Sequence, residues 1–127
     1  MLAVDHGEAR AGVAVSDPSG TIATPLGLVA PPDADEVARI AAERGAERVV
    51  VGLPVSLDGS EGDQAAAARA FSDELAEAVD VPVETYDERL TTRMADASAR
   101  SGARAPADAL AAAHLLESYL ASREGVW

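Results

Sequence analysis

The order of apolar and polar positions predicts that the chain begins with three strands. Each is a short apolar or alternating run that ends at turn residues such as Gly and Pro. The predicted strands cover residues 1–5, 11–17 and 21–29. Pro25 limits the third strand, and the connections between the strands are short. We therefore expect these strands to form an antiparallel meander.

Two further strands follow from the same patterns. The run RVVVGLP at 48–54 is apolar and β-branched, which is typical of a parallel strand buried on both faces. Pro82 opens a last strand over residues 83–87. Helical spacing predicts four helices: one from Asp33 or Asp35 to Gly45, and others over residues 64–79, 93–100 and 107–122.

One of these helices, over residues 64–79, has apolar residues four positions apart, which we expect to form its buried side. These residues are Ala67, Phe71, Leu75 and Val79. The element order βββαβαβαα predicts a single α/β domain over residues 1–127. We expect a five-stranded mixed sheet, with the first three strands an antiparallel meander and helices on both faces.

Composition narrows the possible chemistry. The chain has no Cys, which excludes disulfides and thiolate metal sites, and its 3% aromatic content argues against a platform for stacking bases. It has no Lys, ten Arg and 22 acidic residues, with a net charge of −12. That charge argues against binding to nucleic acid. No apolar run approaches the roughly 20 residues of a membrane helix and no signal peptide is evident, so we expect a cytoplasmic protein without membrane contact.

Four acidic residues fall where a mixed sheet of this kind would bring them to one edge. They are Asp5 at the end of the first strand, Asp87 and Glu88 at the end of the last strand, and Asp108 in the first turn of the closing helix. The C-terminal ends of parallel strands meet at one edge, where such sheets place their ligands. Taken singly, Asp5 would be a turn residue, and Asp108 an acid favoured by the helix dipole.

Carboxylates held close together repel one another, and they coexist at low cost when a cation neutralises them. Oxygen ligands without cysteine favour the hard divalent ions Mg²⁺ or Mn²⁺. Two such ions about 4 Å apart can activate a water and stabilise the leaving oxygen of a phosphodiester. The carboxylates therefore predict metal-dependent hydrolysis of phosphodiester bonds.

Four motifs follow one another along nearly the whole chain. They are VDHGEARAGVAVSDPSG, VVVGLPVSLDGSEG, YDERLTT and DALAAAHLLESYL. In this order they resemble the YqgF/RuvX family. The resemblance implies an RNase H-like fold. Members of the family are described as Holliday junction resolvases and as nucleases that mature the 5′ end of the small-subunit ribosomal RNA precursor.

The resemblance implies catalytic, metal-binding roles for Asp5, Glu88 and Asp108. Asp87 would be a neighbouring ligand. His6 follows Asp5 directly, but successive strand residues point to opposite faces, so we expect its side chain to point away from that site.

Other matching positions would contact phosphate. Arg10 and Arg89 match arginines of the family motifs, and each could instead form a salt bridge within the carboxylate cluster. Gly7 and Gly12 match glycines that would let the backbone approach a phosphate, although Gly7 could be a turn residue alone.

The leading hypothesis is a nuclease that uses Mg²⁺ or Mn²⁺, with two ions, to process the 16S rRNA precursor. The second is a Holliday junction resolvase acting on branched DNA, for which a homodimer would suit paired symmetric cuts. The third is a non-catalytic module associated with the ribosome or nucleic acid. It is favoured by the net charge and by the segment 93–107, which holds three arginines where many family members are richer in basic residues.

Overall fold

The strands and helices follow the predicted order over the part of the chain that the structure describes. This computed structural model describes residues 1–7, 9–17, 22–54, 62–87 and 107–123, with the side chains of 107–109 and 122–123 excepted. The strands are β1 (Leu2–His6), β2 (Ala11–Ser16), β3 (Ala23–Val29), β4 (Val49–Leu53) and β5 (Val83–Asp87), and the helices are α1 (Ala34–Glu43), α2 (Asp63–Ala78) and α3 (Ala107–Arg123). The helix predicted over 93–100 lies outside the described residues. No described helix is long and apolar enough to span a bilayer.

The five strands form one mixed sheet in the order β3-β2-β1-β4-β5. β1 pairs antiparallel with β2, and β2 pairs antiparallel with β3, which confirms the predicted meander. β1 also pairs in parallel with β4, and β4 pairs in parallel with β5. The C-terminal ends of β1, β4 and β5 therefore lie at the same edge of the sheet.

Strand β1 lies at the centre of the sheet and contributes side chains to both of its faces. Leu2 and Val4 belong to the core that the sheet forms with α1 and α2. Ala3 packs on the other face against Leu115 and Leu116 of α3. This two-residue alternation places helices on both faces, as predicted.

Helix α1 begins and ends with side-chain and backbone caps. The Asp33 carboxylate accepts a hydrogen bond from the Asp35 amide at 2.9 Å. Of the two predicted candidates, Asp33 is therefore the N-cap. Gly45 has φ +64° and donates to the Ala42 carbonyl, while the Ala46 amide donates to the carbonyl of residue 41. This pair of bonds is a Schellman motif, in which glycine takes the left-handed conformation at low cost.

The buried side of α2 differs from the predicted one. Ala67 is exposed, and Ala68 takes its place in the core. The buried residues are Ala65, Ala68, Phe71, Ser72 and Leu75. The prediction of Ala67 was wrong because a four-residue step on a helix of 3.6 residues per turn drifts by about 40°. Over three such steps the drift reaches about 120°, so Ala67 turns out of the core while Phe71, Leu75 and Val79 pack in it.

A cluster of polar side chains attaches the C-terminal half of α3 to the sheet. The Tyr119 hydroxyl donates to Glu84 Oε2 at 2.5 Å and accepts from Arg48 Nη1 at 3.0 Å, and Arg48 also forms an ion pair with Glu84. Beside this cluster, the hydroxyls of Tyr86 and Ser118 lie 2.9 Å apart. We call Arg48, Glu84 and Tyr119 the clamp. It joins α3 to β5 and to the start of β4.

We expect Tyr119→Phe to destabilise the protein by about 1–2 kcal/mol. The substitution keeps the buried ring but removes the hydroxyl that bridges two charged groups, and hydrogen bonds to charged groups are the stronger class. Urea unfolding followed by circular dichroism measures the change.

The matched control is Arg39→Gln, which breaks an exposed set of ion pairs with Glu36 and Glu43. Exposed pairs contribute little, so the control should leave the unfolding midpoint nearly unchanged. Equal effects of the two substitutions would show that the clamp adds nothing beyond a surface ion pair.

Candidate active site

The last two residues of β1 occupy opposite faces of the sheet. His6 packs against Phe71 of α2, with ring centroids 4.9 Å apart, and therefore lies on the α1/α2 face. Burial lowers the pKa of His6, and the nearby charges of Asp5 and Glu74 partly offset this. Asp5 is two residues after Ala3 in the same strand, so its side chain is on the same side of the sheet, the α3 face. The expected separation of His6 from Asp5 is thus observed.

Asp5 lies between two glycines on the neighbouring strands. Gly12 of β2 is its direct partner. On the other side Val4 is level with Val51, so the next residue of β4, Gly52, lies beside Asp5. Neither glycine has a side chain, so backbone alone borders the half-buried Asp5 in both adjacent strands. Both glycines are buried, whereas Asp5 is only half-buried.

Among the described residues, none forms a hydrogen bond or a salt bridge with the Asp5 carboxylate. A half-buried charge without a partner is costly unless a cation or water neutralises it. The oxygen donors are of the kind that Mg²⁺ and Mn²⁺ accept. Asp5 therefore fits the role of a metal ligand.

Asp87 ends β5 on the opposite face from Asp5. It is level with Leu53, which packs against Ala65 of α2. Counting along β5 gives the same result, since Val83 belongs to the α1/α2 core and Tyr86 packs on the α3 side. A metal bound by Asp5 would thus lie across the sheet from the position of Asp87.

The other predicted ligands can be placed only in part. Glu88 and Arg89 lie outside the described residues. Asp108 is in the first turn of α3, one turn before Ala112, which packs against Ala14 of β2. Ala14 is two residues from Gly12 on the same face, so the N-terminal half of α3 lies over the Asp5 side of the sheet. No three His, Asp or Glu side chains among the described residues form a metal-binding group.

Comparison with known proteins identifies the family. The family model described as "RuvX: Holliday junction resolvase" matches residues 1–122. The chain belongs to the RuvX family. A relative from Chloroflexus aggregans named "Putative pre-16S rRNA nuclease" is 44% identical over 97% of this chain and 94% of its own length. A relative from Thermobifida fusca with the same name is 50% identical over 80% of this chain and 66% of its own length.

A solved structure has the same fold as this RuvX family member. RuvC of T. thermophilus, solved in complex with a Holliday junction substrate, aligns with a TM-score of 0.66 and 20% sequence identity. The alignment covers 98% of this chain and 96% of that chain. The likeness confirms the predicted RNase H-like fold.

Gly7 has a structural reason to be glycine in this RuvX sequence. Its amide donates to the Arg10 carbonyl at 2.9 Å, closing the turn between β1 and β2. A Cβ at this position would lie 2.8 Å from the same carbonyl oxygen. The turn alone therefore explains why position 7 is a glycine. Contact of Gly7, or of the exposed Arg10, with substrate stays a prediction.

The sequence reasoning missed Gly52. Its signal was present, because a glycine inside the β-branched run VVVGL often marks close approach of a ligand or of another backbone. What the sequence could not supply was the register that sets Gly52 beside Asp5. That register depends on the pairing of β1 with β4, which are separated along the chain by two strands and a helix.

We expect Gly7→Ala to destabilise the RuvX chain by about 1–3 kcal/mol, because the new methyl group must displace a backbone carbonyl rather than a flexible side chain. Thermal unfolding measures the change. Gly62→Ala is the matched control: its new Cβ meets nothing within 4 Å, and its φ is −94°. A Gly7 variant as stable as the Gly62 variant would contradict the close approach.

Proposed function

We propose that this RuvX family member is a divalent-metal-dependent nuclease that hydrolyses phosphodiester bonds in the 16S rRNA precursor. Family membership and the names of the relatives support the nuclease class and the RNA substrate. The observation that carries the proposal is the placement of Asp5. Its carboxylate, which has no hydrogen-bond or salt-bridge partner within the described part of the chain, lies at the C-terminal end of the central strand, between Gly12 and Gly52.

We propose Asp5, Glu88 and Asp108 as the residues that hold Mg²⁺ or Mn²⁺, with two ions in the site. Bound there, the metal would supply positive charge and a reactive water for phosphodiester hydrolysis. Asp5 comes from the sheet and Asp108 from the start of α3, which packs over the same face. Glu88 is the next residue in sequence after Asp87, which ends β5.

The glycines and arginines have separate proposed roles in binding the substrate. Gly12 and Gly52 would keep side chains of the two adjacent strands away from Asp5 and its metal. Arg10 and Arg89 would contact phosphate groups of the substrate, since guanidinium groups match phosphate geometry. Gly7 would allow the tight turn next to Asp5.

The distribution of charge favours approach of the substrate from the α3 face. The segment 33–48, which includes α1, carries five acidic residues and three arginines. The segment 63–80, which includes α2, carries five acidic residues and one arginine. A polyanion is repelled from this side of the sheet. The acidic residues in the segments of α1 and α2 would therefore repel nucleic acid from the α1/α2 face more than from the α3 face, where Asp5 lies.

Cleavage of a four-way DNA junction is the second candidate. The description of the family model names Holliday junction resolvase activity, and that observation favours it. Junction resolution needs two symmetric cuts, for which we propose a homodimer. Sedimentation analysis with and without a junction tests the dimer. A cytoplasmic site of action belongs to both candidates and stays a prediction.

We expect Asp5→Asn to reduce Mn²⁺-dependent cleavage at least about 100-fold, because a metal supplies several kcal/mol and each 1.36 kcal/mol is tenfold in rate. The assay follows a 16S rRNA precursor fragment and a four-way DNA junction in parallel. Asp73→Asn, an exposed substitution in α2, is the matched control and should retain activity. Failure of the wild type to cut either substrate would favour the non-catalytic module, and undiminished cutting by Asp5→Asn would refute the metal role.

The position of Asp87 on the α1/α2 face leads to a separate prediction for Asp87 and Glu88. Glu88→Gln should abolish cleavage nearly as Asp5→Asn does, while Asp87→Asn should retain most of it, because β5 places Asp87 on the face away from Asp5. Initial rates at saturating Mn²⁺ distinguish the two. The reverse order of activities would assign the ligand to Asp87.

A further inference from the structure

A contact between two hydroxyl groups joins helix α3 to the edge strand β5. The Tyr86 and Ser118 hydroxyls lie 2.9 Å apart, within hydrogen-bond distance, and Ser118 is fully buried. The Tyr86 ring also packs edge-to-face against the Tyr119 ring, with ring centroids 5.6 Å apart. This ring contact restricts where the Tyr86 hydroxyl can point. The hydrogen bond is therefore part of the packing between the strand and the helix.

Tyr86 lies in the same row of the sheet as Asp5. It pairs with Gly52, and Gly52 lies beside Asp5. Two strand spacings, about 10 Å, therefore separate the backbones of Tyr86 and Asp5. Tyr86 packs with the α3 cluster, so its side chain is on the face of Asp5. The residue that bonds to α3 is thus level with the candidate metal ligand, and Glu88 follows it two positions later in the sequence.

Helix α3 connects the position of Ser118 to that of Asp108. Both belong to one continuous helix, and at 1.5 Å per residue they are about 15 Å apart along its axis. A displacement of the helix at Ser118 therefore displaces Asp108 as well. Between them, Ala112 and Ala113 pack against Ala14 of β2. Apolar packing of this kind is non-directional, whereas a hydrogen bond has a preferred length and angle and limits sliding of the helix.

The clamp attaches α3 at a different place. Arg48 directly precedes β4, and Glu84 is two residues before Tyr86 in β5, so both lie towards the edge of the sheet away from Asp5. Their side chains are 28% and 40% exposed, so solvent weakens this ion pair. Of the two attachments of α3 to β5, the hydroxyl pair is the one in the row of Asp5.

We propose that Tyr86 and Ser118 are positioning residues of the candidate metal site. Their hydrogen bond fixes α3 against β5, so that Asp108 is held relative to Asp5 and to the end of β5 before a metal ion binds. Ligands that are already in place bind a metal more tightly, because less ordering remains to be done on binding. The bond therefore acts on metal affinity more than on the rate at saturating metal. This inference rests on the proposed nuclease function and its metal ligands.

The test removes each hydroxyl while keeping the rest of the packing. Tyr86→Phe, Ser118→Ala and the double variant are compared with the wild type. Val37→Ala is the control, because Val37 is fully buried in the α1/α2 core, and its truncation lowers stability on the face away from α3. Thermal unfolding checks that every variant is folded at the assay temperature.

Mn²⁺ binding without nucleic acid is measured by electron paramagnetic resonance. Loss of binding in Asp5→Asn identifies the part of the signal that belongs to the candidate site. The Mn²⁺ dependence of cleavage of a 16S rRNA precursor fragment and of a four-way DNA junction is then measured for the same variants. The first measurement does not depend on catalysis, and the second separates metal affinity from kcat.

We expect Tyr86→Phe and Ser118→Ala each to raise the Kd for Mn²⁺ about tenfold, at the lower end of the losses seen for residues that orient metal ligands. The double variant should be no weaker than the weaker single variant, because both substitutions remove the same bond. At saturating Mn²⁺ the kcat values should stay close to that of the wild type. Val37→Ala should keep the wild-type Kd.

Three results would overturn the inference. They are an unchanged Kd in Tyr86→Phe, an equal rise in Val37→Ala, and additive effects in the double variant. The second would mean that lost stability alone weakens metal binding. The third would mean that the two hydroxyls act separately.

The two measurements also separate this inference from the proposed function. If the wild type binds Mn²⁺ through Asp5 but cuts neither substrate, the nuclease proposal fails, while the Kd values still decide the role of Tyr86 and Ser118. If the wild type cuts and the Kd values do not differ, the positioning role alone fails. If the wild type binds no Mn²⁺, both proposals are overturned.

Discussion

The double pairing of β1 is the interaction on which the rest of the structure depends. β1 bonds to β2 on one side and to β4 on the other, and its side chains alternate between two cores. Leu2 and Val4 are buried under α1 and α2, and Ala3 is buried under α3. Asp5 is the first polar residue beyond this buried segment. Its position is thus set by packing on both faces, and a shift of one residue would move it to the α1/α2 side.

Small residues bring α3 close to the sheet near Asp5. Ala112 and Ala113 pack against Ala14 of β2, where larger side chains would hold the helix further away. Towards the other end of the helix, the clamp and the contact between Tyr86 and Ser118 attach it to β5. The helix that carries Asp108 is therefore held at two places, over β2 and over β5. Such fixed attachment is what a site built from a strand and a helix requires.

The net charge of −12 and a nucleic-acid substrate are compatible when charge is considered by face. Acidic residues are concentrated in the segments of α1 and α2, while β3 carries none. Asp5 lies on the side of the sheet opposite those helices. The overall charge lowers the long-range attraction of the protein for nucleic acid. On the α3 face, metal and phosphate contacts at Asp5 would still be able to bind the substrate.

Local patterns in the sequence determined much of this protein. Strand alternation, the β-branched run of β4, and the capping residues Asp33 and Gly45 predicted the elements, since each depends on neighbours within a few positions. The ordered motifs likewise predicted the RuvX family and nuclease class. The tertiary structure decided what depends on distant pairing: Gly52 beside Asp5, and Asp87 on the opposite face. Register between strands far apart in sequence follows from the packing of both cores together, and no local pattern encodes it.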